Sequence, residues 1–173
     1  RGDLFMFCKE KIFRAVILIL LFTIFTLFSA ISYVNAVSSD IADGVFRLHV
    51  IANSDTSVDQ NLKLRLRDYI LQEGKDIFNG SVNVENAVEK IEPVLPELEK
   101  SAKAFMNQAG FDYDVKISLS NEYFTTRTYE TVTLPAGKYL ALRVVIGSGE
   151  GHNWWCVMFP PICSLEVEEN SDI

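Results

Sequence analysis

The sequence predicts an α+β fold: a mainly antiparallel sheet with two helical segments packed on one face, preceded by an N-terminal transmembrane or signal helix. Three observations predict it. Apolar and polar residues alternate in segments such as 46–52 and 113–119, as they do in strands. Two stretches between these segments repeat apolar residues every three or four positions, as helices do. A long uncharged apolar run opens the chain.

Residues 1–36 are predicted to be a targeting element. From Ala15 to Ser39 no residue is charged, and this apolar run is long enough to cross the roughly 30 Å hydrocarbon layer of a bilayer. Lysine and arginine precede it, so we expect the N-terminus to stay in the cytoplasm and residues 37–173 to lie on the far side. A signal peptide cleaved near Ala36 and an uncleaved anchor both stay open.

Two of the three cysteines, Cys156 and Cys163, lie in the part that is predicted to be exported. An oxidising compartment favours a disulfide between them, and the intervening Pro160-Pro161 can reverse the chain. Two buried thiols are the alternative, because the spacing matches no redox or zinc motif.

Residues 37–173 are predicted to form a single domain that begins with a strand, Phe46–Ala52. Phe46, Leu48 and Val50 share one face of this strand, while Arg47 and His49 share the other. This alternation predicts a half-buried strand whose polar face is in contact with water.

Two helical segments are predicted to follow the first strand. Ser57 and Gln60 have the spacing of a capping box, so the first helix is expected to begin there and to end near Gly74. The second segment, residues 88–109, contains two prolines. Since proline removes a helix hydrogen bond, we expect a break near Glu92.

The last third of the chain is predicted to consist of strands. Alternation over 113–119 gives the first of them, and the turn residues 135–137 predict a hairpin between segments 129–134 and 139–146. A further extended segment covers residues 154–159.

The charge of the predicted domain limits its partners. From Val37 onward the chain has 12 basic and 21 acidic residues, a net charge of −9. An acidic domain has no broad cationic surface for phosphate groups, so we expect no nucleic acid partner, and an anionic membrane surface is disfavoured.

The sequence contains no assembled catalytic or metal-binding motif. The two histidines, His49 and His152, do not have the spacing of metal ligands, and no serine lies in a nucleophile elbow. The glycine-rich residues 147–151 precede a strand rather than a helix, so we interpret them as a turn and not as a phosphate loop. We therefore expect no catalytic residue, metal, cofactor or small-molecule substrate. A cell-envelope hydrolase that uses His49 and Asp55 is the alternative.

Two blocks of the sequence are distinctive. Residues 46–55 read FRLHVIANSD, and residues 149–163 read GEGHNWWCVMFPPIC. Both blocks resemble the stage II sporulation protein R family of endospore-forming bacteria. The segments 134–139 and 141–147 are similar as well, so the resemblance covers nearly all of residues 45–163.

The resemblance implies a signalling protein that is made in the forespore and exported across the forespore membrane into the space between the forespore and mother-cell membranes. There the family activates a membrane-embedded aspartic protease of the mother cell, which removes the pro-sequence of sigma E. No catalytic residue is implied. A purely structural septal protein is a third possibility.

We expect the partner-binding surface to combine polar strand, junction and helix residues with one tryptophan. Consecutive strand residues point to opposite faces, so one tryptophan can fill the core while the other anchors an interface. The two helix bases are one turn apart and are expected on a solvated stripe. The predicted set is Arg47, His49, Asn53, Asp55, Lys63, Arg67, Trp154 and Trp155.

Overall fold

The computed structural model describes residues 2–129 and 132–161. The chain divides into two compact units, Arg1–Ser39 and Asp40–Ile173. The first helix, α1, spans Gly2–Asp43. Its part Phe13–Asp43 is long and apolar enough to cross a membrane, by length and composition, as a signal sequence or a membrane anchor would be.

The second unit contains a mixed four-stranded sheet. Its strands are β1 (Phe46–Ile51), β2 (Val115–Phe124), β5 (Gly137–Ile146) and β6 (Asn153–Phe159). They are arranged in the order β2-β5-β1-β6. β5 pairs antiparallel with β2 and parallel with β1, and β1 pairs antiparallel with β6. The predicted α+β class is confirmed, with one parallel pair in an otherwise antiparallel sheet.

The helices of this unit pack on one face of the sheet. They are α2 (Ser57–Ile77), α3 (Val84–Ile91) and α4 (Leu95–Gln108). A short 3-10 turn, Glu92–Val94, separates α3 from α4, which confirms the break predicted from the prolines. The main core lies between these helices and the apolar side chains of β1.

The helix α2 begins differently from the predicted capping box. Thr56, not Ser57, is the N-cap, and its hydroxyl accepts a hydrogen bond from the backbone N–H of Asp59. The Gln60 side chain instead donates to the carbonyl oxygen of Ser54. The chain thus turns one residue earlier than the spacing of Ser57 and Gln60 suggests.

The predicted hairpin is wrong. The short strands β3 (Arg127–Tyr129) and β4 (Val132–Leu134) pair with each other in a separate two-stranded ribbon. All ten residues of β5 pair with β2. This pairing forms more ladder hydrogen bonds than the three residues of β4 could form with β5. The turn at residues 135–137 therefore joins the ribbon to the sheet.

The prediction of a half-buried first strand is also wrong, because all six residues of β1 are buried. β1 is an inner strand between β5 and β6. Phe46, Leu48 and Val50 enter the main core, while Arg47 and His49 meet a second cluster on the opposite face. The buried residues of that cluster are Val45, Phe124, Tyr129, Leu134, Tyr139, Ala141 and Val157.

Candidate functional site

The candidate site lies on the face of the sheet that is turned away from α2, α3 and α4, which we call the distal face. Strand register places side chains from all four strands on this face, since residues paired across strands point the same way. The residues on this face include Arg47, His49, Lys116, Ser118, Ser120, Glu122, Ala141, Arg143 and Trp155.

His49 is the centre of a polar network on the distal face. Its Nδ1 contacts a carboxylate oxygen of Glu122, and its Nε2 lies 2.9 Å from Oδ1 of Asn153. The other carboxylate oxygen of Glu122 lies 3.1 Å from Nε of Arg143. The indole of Trp155 stacks on the imidazole, with 3.7 Å between ring centroids. These contacts fix the orientation of the imidazole.

Because this network covers His49, only 6% of the residue is exposed, and the expectation of a solvated histidine is wrong. Glu122 reaches His49 diagonally over Ala141, whose small side chain leaves room for the carboxylate. The sequence contained no signal for Glu122, which is far from His49 along the chain and sits in an ordinary strand pattern.

Arg47 is completely buried, so its predicted solvent exposure is wrong as well. Its Nη2 donates to the hydroxyl of Tyr129, and its guanidinium lies 3.8 Å from the ring centroid of Phe124 and 4.9 Å from that of Tyr139. Its Nε and Nη1 find no acceptor among the described residues. Burial lowers the pKa of Arg47, which the nearby Tyr129 partly opposes.

The junction between β1 and α2 is held by side-chain hydrogen bonds. Asn53 donates from Nδ2 to Asp59 at 2.8 Å, and its Oδ1 accepts from the backbone N–H of Ser148 at 3.0 Å. The predicted partner residue Asn53 thus joins the junction to the glycine-rich loop. Gly147, with φ of +55°, is required there because a Cβ would lie 2.2 Å from Oδ1 of Asn53.

Asp59 is the buried carboxylate of this junction. Besides the bond from Asn53, it accepts one from the hydroxyl of Ser54 at 2.5 Å. Burial acts to raise the pKa of Asp59, but the hydrogen bonds from Ser54, Asn53 and Tyr113 outweigh it, and the pKa is lowered.

Asp55 and His152 form an exposed pair at the edge of the junction. One carboxylate oxygen of Asp55 accepts from the backbone N–H of His152 at 2.6 Å and also contacts the ring Nδ1. The two side chains are 54% and 77% exposed. The hydrogen bond from the His152 ring lowers the pKa of Asp55. His152 is absent from the predicted partner surface, and it is the fold that brings it to Asp55.

Lys63 and Arg67 do not lie on a solvated stripe of α2, contrary to the prediction. Both are buried. Nζ of Lys63 donates to the side chain of Gln60 at 2.6 Å and to the carbonyl of His152 at 3.3 Å. The guanidinium of Arg67 covers the ring of Trp154 at 4.3 Å. Long side chains bury their aliphatic stems when a helix lies over a strand, and α2 lies here against β6.

The two tryptophans point to opposite faces, as predicted. Trp154 packs against the main core and Trp155 against the second cluster. Both are partly buried, so neither is a fully exposed anchor.

His49 and Asp55 do not form the pair that a hydrolase would need. Both ring nitrogens of His49 are engaged by Glu122 and Asn153, and Asp55 is bound to His152. Within the described part of the chain, no group of three or more His, Cys, Asp or Glu side chains could hold a metal ion. The distal face offers hydrogen-bonding and charged groups for binding instead.

The predicted disulfide involves one described residue. Cys156 is buried in the main core, beside β1. Cys163 lies outside the described residues, so the pairing of Cys156 with Cys163 stays a prediction.

Comparison with known proteins identifies the family. The sequence profile described as Stage II sporulation protein R matches residues 42–169. Stage II sporulation protein R of Bacillus subtilis (strain 168) is 36% identical over 133 residues, which are 77% of this chain and 59% of that relative. The chain thus spans less than two thirds of the length of this relative. No solved structure matches. The chain, a sporulation protein, belongs to the stage II sporulation protein R family.

Proposed function

We propose that this chain is an intercellular signalling protein of sporulation that activates a membrane-embedded aspartic protease of the mother cell. The protease then converts pro-sigma-E to its active form. The chain itself makes and breaks no covalent bond. The match of residues 42–169 to the stage II sporulation protein R family carries this proposal.

The N-terminal helix supports the proposed route of the signal. Its apolar part, Phe13–Asp43, meets the length and composition of a membrane-crossing segment, with Arg14 at its N-terminal end and Lys9 and Lys11 before it. By the positive-inside rule, the Asp40–Ile173 unit is then exported across the forespore membrane. In the space between the two membranes it is either anchored by this helix or released by cleavage near Ala36.

The predicted partner surface is kept in a revised form. Asp55 is exposed, and Asn53, Trp154 and Trp155 are partly exposed, so a partner can reach them directly. Three buried members hold these exposed groups in place: His49 stacks on Trp155, Arg67 covers Trp154, and Lys63 donates to the carbonyl of His152 beside Asp55. The fourth, Arg47, is instead buried against Phe124, Tyr129 and Tyr139.

A signalling ligand acts by binding one state of its receptor better than another. The free energy by which this chain prefers the active protease over the resting protease sets how far the protease population shifts. Rigid side chains favour such discrimination, because they cannot adapt to both states. The partly exposed indole of Trp155, which stacks on the engaged imidazole of His49, is such a group.

The proposal is tested by reconstitution in a bacterium that does not sporulate. The full chain is expressed together with the candidate protease and pro-sigma-E, and immunoblotting follows the shortening of pro-sigma-E. We expect processing only when all three are present. The control is the same chain without residues 1–36, produced in equal amount, which should stay in the cytosol and leave pro-sigma-E intact.

Two results would contradict the proposal. One is processing of pro-sigma-E by the chain in the absence of the protease, which would make the chain an enzyme. The other is full activity of the cytosolic chain without residues 1–36, since the proposed signal crosses a membrane.

A further inference from the structure

The charges of the exported unit are segregated. The described strands hold five basic residues and a single acidic residue, Glu122. The remaining residues from Val37 onward hold 7 basic and 20 acidic residues. The strands are therefore the cationic part of an acidic protein. The five bases are Arg47, Lys116, Arg127, Lys138 and Arg143.

Two of these bases are accessible neighbours on the distal face. Lys116 pairs with Val145 and Arg143 pairs with Ser118, so Lys116 and Arg143 are diagonal neighbours, about 7–8 Å apart at their backbones. Lys116 is exposed, and the side chain of Arg143 is 42% exposed. A ligand on this face thus meets two cations at a defined spacing.

The carboxylate of the sheet does not neutralise this pair. Glu122 is six residues from Lys116 on the same strand, which places it about 20 Å away along β2. It does contact Arg143, through Nε at 3.1 Å. A guanidinium has five N–H donors, so Arg143 keeps donors for a second carboxylate.

The pair continues into an aromatic surface. Strand register puts Ser118, Arg143, His49 and Trp155 in one row across all four strands. At the end of this row the partly exposed indole of Trp155 stacks on His49. The row thus offers a hydroxyl, a cation and a flat apolar ring to one ligand.

We propose that the distal face binds an extended acidic segment of a partner protein, with two carboxylates on Lys116 and Arg143. In an extended chain alternate side chains point to the same side about 6.8 Å apart, which matches the spacing of the two cations. An anionic membrane fits less well, because a broad negative surface would also meet the acidic remainder of the unit. The inference rests on the proposed function in one respect: that function identifies the partner as the protein that this chain activates.

Peptide binding tests this surface. The probe is a labelled nine-residue peptide in which Glu alternates with Thr, and its counterpart carries Gln in place of Glu. Fluorescence anisotropy measures the affinity of each for the full chain in detergent micelles. We expect the Glu peptide to bind more weakly as salt is raised and the Gln peptide not to bind.

Charge variants locate the binding. The double variant Lys116→Glu/Arg143→Gln should weaken Glu-peptide binding about tenfold, and Lys116→Glu alone about threefold. The matched control is Lys100→Glu, which makes the same charge change at an exposed lysine of α4 and should stay within twofold of the unmodified chain. Unchanged tryptophan fluorescence and unfolding midpoints would show that the variants are folded.

Three results would overturn the inference. The first is that the Glu peptide does not bind. The second is that Lys100→Glu and Lys116→Glu weaken peptide binding equally. The third is that the double variant loses binding to phosphatidylglycerol vesicles and no other property.

Sigma-factor processing separates this inference from the proposed function. Charge-dependent peptide binding by a chain that triggers no processing supports the surface and contradicts the function. Normal processing and normal peptide binding by the double variant contradict the surface alone.

Discussion

At the scale of single residues, the polar side chains of β1 are the unusual feature of this protein. A completely buried guanidinium is costly unless other groups stabilise it. Arg47 is stabilised by the faces of Phe124 and Tyr139 and by one bond to Tyr129, each worth on the order of 1 kcal/mol. Two of its nitrogens remain without an acceptor in the described part of the chain, so we expect the buried guanidinium to lower the free energy of unfolding.

We therefore expect Arg47→Met to leave the free energy of unfolding unchanged or to raise it by about 1 kcal/mol. Methionine keeps the length of the side chain and removes the unpaired N–H groups. Urea unfolding of the full chain in detergent, followed by tryptophan fluorescence, measures the effect. Arg47→Ala, which leaves a cavity, serves for comparison and should be destabilising. A loss of several kcal/mol in Arg47→Met would show that the charge itself stabilises the fold.

The second residue-scale prediction concerns Asp59 and pH. Because its pKa is lowered in the folded protein, its contribution is present above the unfolded value of about 3.9 and is lost as pH falls through the folded value. Asp59→Asn should lower the free energy of unfolding by about 1–3 kcal/mol at pH 7. That deficit should shrink below about pH 4. Urea unfolding at pH 7 and pH 3 measures it, with the exposed Asp112→Asn as control. A deficit independent of pH would contradict the assignment.

At the scale of elements, the boundaries of the helices follow from local chemistry. Pro93 and Pro96 lie where α3 ends and α4 begins, and the intervening 3-10 turn fits the missing N–H groups. Strand pairing, in contrast, does not follow from the local sequence. β5 and its partner β2 are separated by the ribbon of β3 and β4, and nothing in the local pattern of residues 129–146 specifies that partner.

The cap of α2 gives an element-scale prediction. Thr56→Ala should lower the free energy of unfolding by about 1 kcal/mol, because the backbone N–H of Asp59 loses its acceptor. Ser57→Ala, one residue later, should change it by less than about 0.5 kcal/mol, since Ser57 is already inside the helix and exposed. Chemical unfolding of both variants gives the comparison. The reverse order of effects would restore the capping box predicted from Ser57 and Gln60.

At the scale of the whole molecule, the protein separates an apolar helix from an acidic folded unit. The helix α1 carries the uncharged run, and the unit Asp40–Ile173 carries the sheet and its polar network. Because the chain from Val37 onward has a net charge of −9, we expect the folded unit not to adhere to anionic lipid.

The proposed orientation in the membrane gives the last prediction. Alkaline phosphatase is active only outside the cytoplasm, so a fusion to the end of the full chain should be active. Deletion of residues 13–36 should abolish this activity while leaving the amount of fusion protein unchanged. A β-galactosidase fusion at the same place should behave in the opposite way. Phosphatase activity without the helix would contradict its role in export.

Several features were determined by the sequence alone. The membrane-crossing composition of α1, the break at the two prolines and the opposed directions of Trp154 and Trp155 depend on neighbours along the chain. Hydrophobicity, helix breaking and strand alternation are local properties, so the order of residues contains them. The two distinctive blocks likewise sufficed to indicate the family.

Only the tertiary structure decided which polar residues are exposed. The alternation of apolar and polar residues predicted that Arg47 and His49 are in contact with water. Both are buried, because β1 lies between two other strands and the second cluster packs on the same face as these two side chains. Glu122 and His152 joined the site through strand pairing and loop packing across many residues of sequence. Burial and hydrogen-bond partnership depend on what the rest of the chain places opposite a residue, and no local pattern contains that information.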